Sequence, residues 1–446
     1  MNWEHLLSAS RQGQKTTLAT VSSRSAFEQD FDRIIFSHPF RKLQDKTQVH
    51  PLPEHDFVHT RLTHSLEVSS VGRSLGRKVG DVIVQRHPEL EKNFSLYDFG
   101  AITAAASLTH DLGNPPFGHA GEDALGDFFS ETTYGRSFES QVTPGEWGDL
   151  TSFEGNAQGF RIINSNVYGL KLTLATLGAF TKYPCAIDIN PRDKSRKSQK
   201  KYGFYQSEKK SFQQIAEALS LHKITTQAWC RHPLAFLVEA ADDICYSIID
   251  LEDGCRLGLI TFNDTVDLLS HILKDDFKPE KLREMRGQNE KIGVLRALTI
   301  NKLVDECTKV FLEHESKILA GSFDQALTDL CDSKDVLSQI SKTSVELIYR
   351  ARHVVEIEAS GHEVLPGLLH EFIQAGELLI QTRNAVKQTV PRKYQNIALL
   401  FPIETRIAIE KAGATYEMLR LVLDFISGLT DKHALSLYRK IKGISL

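Results

Sequence analysis

Asp98-Phe-Gly-Ala-Ile-Thr-Ala-Ala-Ala-Ser-Leu-Thr-His110-Asp111-Leu-Gly-Asn-Pro-Pro-Phe-Gly-His119 is the stretch that decides the fold. Its first half is alanine-rich and apolar on most sides, which predicts a buried helix with Asp98 near its N-cap. Gly113 and then Pro115-Pro116 stop that helix. The chain therefore delivers an adjacent histidine and aspartate to the end of an apolar rod, where an unpaired carboxylate is costly to bury. A rigid turn carrying His119 follows at once.

Working outward, Leu234 to Leu251 and Tyr416 to Ile426 repeat apolar residues at three and four, the helical period. Alternating β-branched runs closed by Asn-Gly or Asp-Gly are scarce, so the expected class is all-α. Residues 130–152 are polar and contain glycine, and read as a loop or small insertion. Residues 191–210 read as a basic loop in which Tyr202, Phe204 and Tyr205 follow six basic side chains, Arg192, Lys194, Arg196, Lys197, Lys200 and Lys201. No composition shift marks a domain boundary. The expectation is one helical body over 1–446, with a core over 24–260 and a C-terminal helical region over 261–446.

Composition agrees with a globular chain: 446 residues, 41% hydrophobic, 25% charged, net charge −4. This excludes disordered, collagen-like and disulfide-scaffold classes, and a surface that binds nucleic acid all over. No window is long and apolar enough for a membrane span, and Met1 to Gln12 lacks a signal-peptide core. The six cysteines show no C-x-x-C and irregular spacing, so they read as reduced cytosolic thiols, and the expected location is cytoplasmic.

His64, His110, Asp111 and Asp242 are the candidate metal ligands. A mixed imidazole–carboxylate set without thiolate suits manganese or magnesium, with iron or another transition metal as further candidates, and disfavours structural zinc. Asp242, Tyr246 and Asp250 fall at i, i+4 and i+8 and share a helix face, although a solvated face explains the same three. His119 and Glu122 lie at i, i+3. They can serve as general acid/base and its orienting carboxylate, while a plain helix-start turn is the alternative.

Five motifs carry a family resemblance: Lys46-Thr-Gln-Val49, Arg61-Leu-Thr-His-Ser-Leu-Glu-Val68, His110 to Glu122, Glu154-Gly-Asn-Ala-Gln158 and Ala241-Asp-Asp-Ile-Cys-Tyr246. In that order they resemble the deoxyguanosine triphosphate triphosphohydrolase-like branch of the HD-domain phosphohydrolases, from about residue 24 to 255. The tail from Val422 to Leu435 is similar to that family's C-terminal motif, with Lys432-His433 in place of arginine and an aromatic residue, and His50 replaces a common phenylalanine. The resemblance implies an all-helical HD core with added helices, a hexamer, and cleavage of a deoxynucleoside triphosphate to deoxynucleoside and inorganic triphosphate. By motif position it implies His64, His110, Asp111 and Asp242 as metal ligands and His119 and Glu122 as the catalytic pair. It also implies Gln48, Tyr246 and Asp250 around the deoxyribose, and Asn156, Lys182 and Tyr183 at phosphate or sugar. Triphosphate needs a cationic cradle, for which Arg41, Lys182, Lys200 and Lys201 are candidates. Two competing readings are an HD enzyme acting on another nucleotide, and a regulator binding nucleotide or single-stranded nucleic acid through the basic stretch and its aromatics.

Overall fold

A computed structural model describes residues 1–13, 24–46, 59–193, 195–383 and 391–444. The architecture is all-α, relieved only by a two-stranded antiparallel ribbon, Lys223–Thr225 with Ala228–Trp229. Its centre is a pair of tightly packed helices, Arg61–Arg86 and Leu96–Thr109. Ser95 caps the second helix and Asp98 closes a capping box from its third position. Small residues allow the close approach. A Cβ at Gly76 would stand 2.2 Å from Thr103 Oγ1 and 2.6 Å from the Phe99 carbonyl. The long helix Pro233–Arg256 packs on this pair, and Gln288–Leu319 packs on it in turn. Phe99, Ile102, Ile244, Ile248 and Leu303 sit in this first core.

A second core gathers the helices Gly118–Glu131, Arg352–Arg383, Thr415–Ser427 and Asp431–Lys442 around Phe128, Leu365, Phe372, Leu419 and Ile426. Residues 130–152 belong to this core rather than to a loop. They form helices Thr133–Arg136 and Pro144–Thr151, with Phe138 and Leu150 buried. The Thr143–Glu146 capping box that starts the second of them was the local signal.

The basic stretch also departs from expectation. Tyr202, Phe204 and Tyr205 are buried, with Phe204 stacked on Phe212 at 4.6 Å and the Arg420 guanidinium 3.5 Å from the Tyr205 ring centre. Rings so placed have no face free for a base. Arg192 donates to backbone carbonyls, Arg196 pairs with Asp324 and Lys197 with Asp329. Acids remote in sequence neutralise what composition presents as a solvated basic loop.

All six cysteines are free, and five are buried. Among the described residues no helix is long and apolar enough to cross a membrane.

His232 ties the N-terminal segment to the start of Pro233–Arg256. Its Nδ1 accepts from the Leu234 N–H at 3.1 Å, and its Nε2–H donates to the Leu6 carbonyl at 3.0 Å. Burial pushes the imidazole down to about 4. The unfolded chain, with a histidine near 6.5, then binds the proton more readily. Stability from this residue is complete above about 6.5 and is lost as pH falls towards 4, by up to about 3 kcal/mol. Urea unfolding should show that slope, and His232→Asn, which retains a capping acceptor, should flatten it.

Candidate active site

Four separate segments converge where the two cores meet. Thr60 caps Arg61–Arg86, which places Arg61 and His64 in its first turn. His110 is the C-cap of Leu96–Thr109, Asp111 follows it, and Asp242 faces them from Pro233–Arg256. Asp242 Oδ1 lies 3.3 Å from His64 Nε2 and 3.4 Å from His110 Nε2, while its Oδ2 accepts from Lys182 Nζ at 2.5 Å. The ligand atoms of His64, His110 and Asp111 all lie within 4.8 Å of one another. Asp111 is held by Arg61 at 2.9 Å and by Asn114 at 2.6 Å.

These residues fit a cation. His110 Nδ1–H donates to the Ser107 carbonyl at 2.7 Å, which leaves the Nε2 lone pair bare. That Nε2 is buried and has no hydrogen-bond partner. A buried orphaned acceptor beside three further oxygen and nitrogen donors is the arrangement a divalent ion completes. Burial opposes ionisation of Asp111, but His110, when a proton takes the place of an ion at its ring, and Arg61 outweigh it and bring the carboxyl to about 2. Burial likewise opposes charge on Asp242, and Lys182 and His110 hold it well below the usual carboxylate range.

Beside this cluster opens a cavity of about 400 Å³. His110, Asp111, Asp242, His119, Glu122, Asn156, Lys182, Tyr183 and Tyr246 all line it. His119 and Glu122 share the first turns of Gly118–Glu131, whose N-cap Phe117 takes φ 65° and donates its N–H to Asp431 Oδ1 at 3.1 Å. Burial, and then the cations Lys201 and Arg61, hold the His119 imidazole below its ordinary value. Among the described residues no hydrogen bond joins His119 to Glu122. The Glu122 carboxylate instead accepts from the Gly155 N–H at 2.8 Å, so the expected orienting contact is absent there.

His64 lies beneath the cavity, fully buried. Asp250 does not line it. Eight residues of helix turn about 80° past two full turns, and its buried carboxyl accepts the Tyr349 hydroxyl instead. Burial pushes that carboxyl up to about 7. Arg41 is not in the cavity wall either; it lies over the exposed ring of Phe36 at 5.9 Å. Gln48 lies outside the described residues. Of the two candidate cradle lysines in the basic stretch, Lys201 lines the cavity and Lys200 does not.

Arg61, Asn114, Tyr349 and Glu358 line the cavity without having been singled out. Arg61 was within reach, because it precedes His64 by one helical turn. Tyr349 closes a π-helical turn, Val345–Tyr349, and stacks on Tyr246 with ring centres 5.6 Å apart. Such turns recur at functional sites but carry no sequence mark.

Comparisons with known proteins bear on the same regions. Residues 61–150 match the HD domain, and residues 332–440 match the phosphohydrolase-associated domain. The chain is 44% identical over 460 positions to a deoxyguanosinetriphosphate triphosphohydrolase-like protein of Synechocystis sp., with both chains fully covered. A Pseudomonas aeruginosa protein of the same description is 36% identical, covering 100% of this chain and 99% of its own. A deoxyguanosinetriphosphate triphosphohydrolase of Salmonella arizonae is 30% identical, covering 100% and 98%.

Proposed function

Because the chain belongs to the family of HD-domain deoxyguanosinetriphosphate triphosphohydrolase-like proteins, and is thus a nucleotide phosphohydrolase, we propose that it cleaves deoxynucleoside triphosphates to deoxynucleoside and inorganic triphosphate. The observation that carries this reading is the His64/His110/Asp111/Asp242 cluster opening onto a cavity that also presents Arg61, Lys182 and Lys201. HD domains are metal-dependent, and these four residues would hold the ion; manganese or magnesium suits the donors, with iron as a further candidate. A divalent ion there supplies positive charge against a phosphate oxygen and acidity to water.

The protein's own groups do the rest. Arg61, Lys182 and Lys201 offset the triphosphate charge, and Asn156 and Tyr183 offer polar atoms to the same anion. His119 moves the proton at the departing 5′ oxygen. Burial and the surrounding cations favour its neutral form in the free protein, and an arriving polyphosphate opposes the cations' share of that effect. Tyr246, backed by Tyr349, presents an aromatic wall to the sugar and leaves no room for a 2′-hydroxyl. Asp250 acts on the sugar side through Tyr349 rather than by direct contact. Assembly into a homo-hexamer and a cytoplasmic location belong to the same proposal.

Incubation with each deoxynucleoside triphosphate and manganese, followed by chromatography, tests the reaction. Triphosphate plus deoxynucleoside supports it, whereas monophosphate plus pyrophosphate overturns it in favour of another nucleotide chemistry. Tyr246→Ala should relax discrimination between deoxy and ribo substrates by roughly tenfold or more, about the worth of one apolar contact; unchanged discrimination removes that role. The buried state of Tyr202, Phe204 and Tyr205 takes away the support for a single-stranded nucleic acid regulator.

A further inference from the structure

Glu122 and Glu154 present two carboxylates to a single lysine. Glu154 caps the helix Gly155–Asn164 and accepts at Oε1 from the Asn156 backbone N–H at 3.2 Å and the Asn156 side-chain amide at 2.7 Å. Its Oε2 lies 3.4 Å from Lys201 Nζ. Glu122 accepts from Gly155 at Oε1, and its Oε2 lies 3.9 Å from the same Nζ. Only 11% of the Glu122 side chain and 8% of the Glu154 side chain are exposed, so water screens neither well.

The charge count around them does not close. The other facing groups are Arg61, whose guanidinium is committed to Asp111, and His119, whose neutral form burial and the neighbouring cations favour. One ammonium therefore answers two carboxylates in a wall that, on the reading above, must accept a polyphosphate. A bound proton closes the count, and hydrogen bonding decides where it sits. Glu154 receives several N–H donors, which favour its ionised form. Glu122 Oε2 has no hydrogen-bond partner among the described residues.

We infer that Glu122 meets the substrate as an uncharged carboxylic acid, donating from Oε2–H to a phosphate oxygen, and that Glu154 is the positioning residue whose negative charge keeps the proton there. The inference deepens the proposed function and rests on it for the identity of the ligand. Burial, and then the charge of Glu154, push the Glu122 carboxyl up to about 7, in line with this arrangement. A carboxylic acid kept neutral by its surroundings is a known way to place a donor against developing negative charge.

The test is an isotope-edited infrared titration of the full chain with ¹³C-carboxyl glutamate, read as wild type minus Glu122→Gln. The expected result is a protonated carboxyl band with its midpoint near neutrality. Glu154→Gln should move that midpoint down by roughly one to two pH units, and Lys201→Met should move it up. Opposite displacements are something a merely structural role does not give, and the lysine variant keeps the test decisive if Glu154→Gln fails to fold. Calorimetry with inorganic triphosphate follows. Glu122→Gln, a permanent donor, should bind at pH 6 within about threefold of wild type and lose the part of the pH dependence that Glu122 supplies. A Glu122 ionised throughout pH 5–8, a midpoint unmoved by both variants, or a tenfold loss of triphosphate binding in Glu122→Gln at pH 6 overturns the inference. The infrared titration uses no nucleotide, so it stands or falls separately from the product assay.

Discussion

Asp242→Asn is expected to remove turnover and divalent-cation binding together. Asparagine preserves the outline of the side chain but withdraws the charge that three neighbours use. Oδ1 touches both imidazole Nε2 atoms, and Oδ2 holds Lys182. An amide turned one way directs its NH₂ at the imidazole Nε2 lone pairs that an ion would take; turned the other, it sets that group against an ammonium. Withdrawal of one preorganised charged group from a reacting centre costs at least about 10²–10³ in kcat. Lys182 also loses its counter-ion in a mostly buried position, a change that typically costs about 3 kcal/mol of stability. The two effects separate by experiment. Adding Lys182→Met to Asp242→Asn should restore the urea midpoint while leaving manganese calorimetry flat and turnover absent. A single variant that still binds manganese with unchanged affinity would remove Asp242 from the ligand set.

Gly113→Ala is expected to be the most damaging single methyl in the chain. The added carbon would stand 2.0 Å from the Gly155 carbonyl oxygen and 2.1 Å from the Gly159 amide nitrogen. Both are backbone atoms of one helix, so no rotamer change relieves the contact. The turn that carries His110 and Asp111 would have to lift off that helix, at about 3 kcal/mol or more. Gly293→Ala is the control. It lies inside Gln288–Leu319, where a Cβ meets nothing within 4 Å, and the same substitution should stabilise by up to about 1 kcal/mol. Urea unfolding of the two variants should therefore move in opposite directions.

The helices and the candidate ligand cluster were legible because their signals are local. Periodicity marked Pro233–Arg256 and Thr415–Ser427, and the His-Asp pair at the end of an apolar rod marked a place where burial demands a partner. Side-chain direction was less legible. Arg41 and Lys46 are both basic and five positions apart, yet Arg41 lies outward over Phe36. Lys46 is buried and donates to the Asn114 and Ser427 carbonyls. Tyr349 was invisible for another reason. Its partner Asp250 is 99 residues away, and nothing in Val345–Tyr349 itself announces that contact. The basic stretch misled because composition counts charges without showing Asp324 and Asp329, which neutralise two of them. Asp250 shows the limit of helical spacing: agreement over one turn became disagreement over two.

The bond from the Phe117 N–H to Asp431 spans 314 positions of chain. During synthesis the turn before His119 therefore cannot be latched until residue 431 has left the ribosome, long after the imidazoles and acids upstream have emerged. A copy halted by a premature stop codon between residues 358 and 431 carries every group that lines the cavity but not this clasp. Interrupted translation is thus expected to yield chains whose turn before His119 is left unfastened.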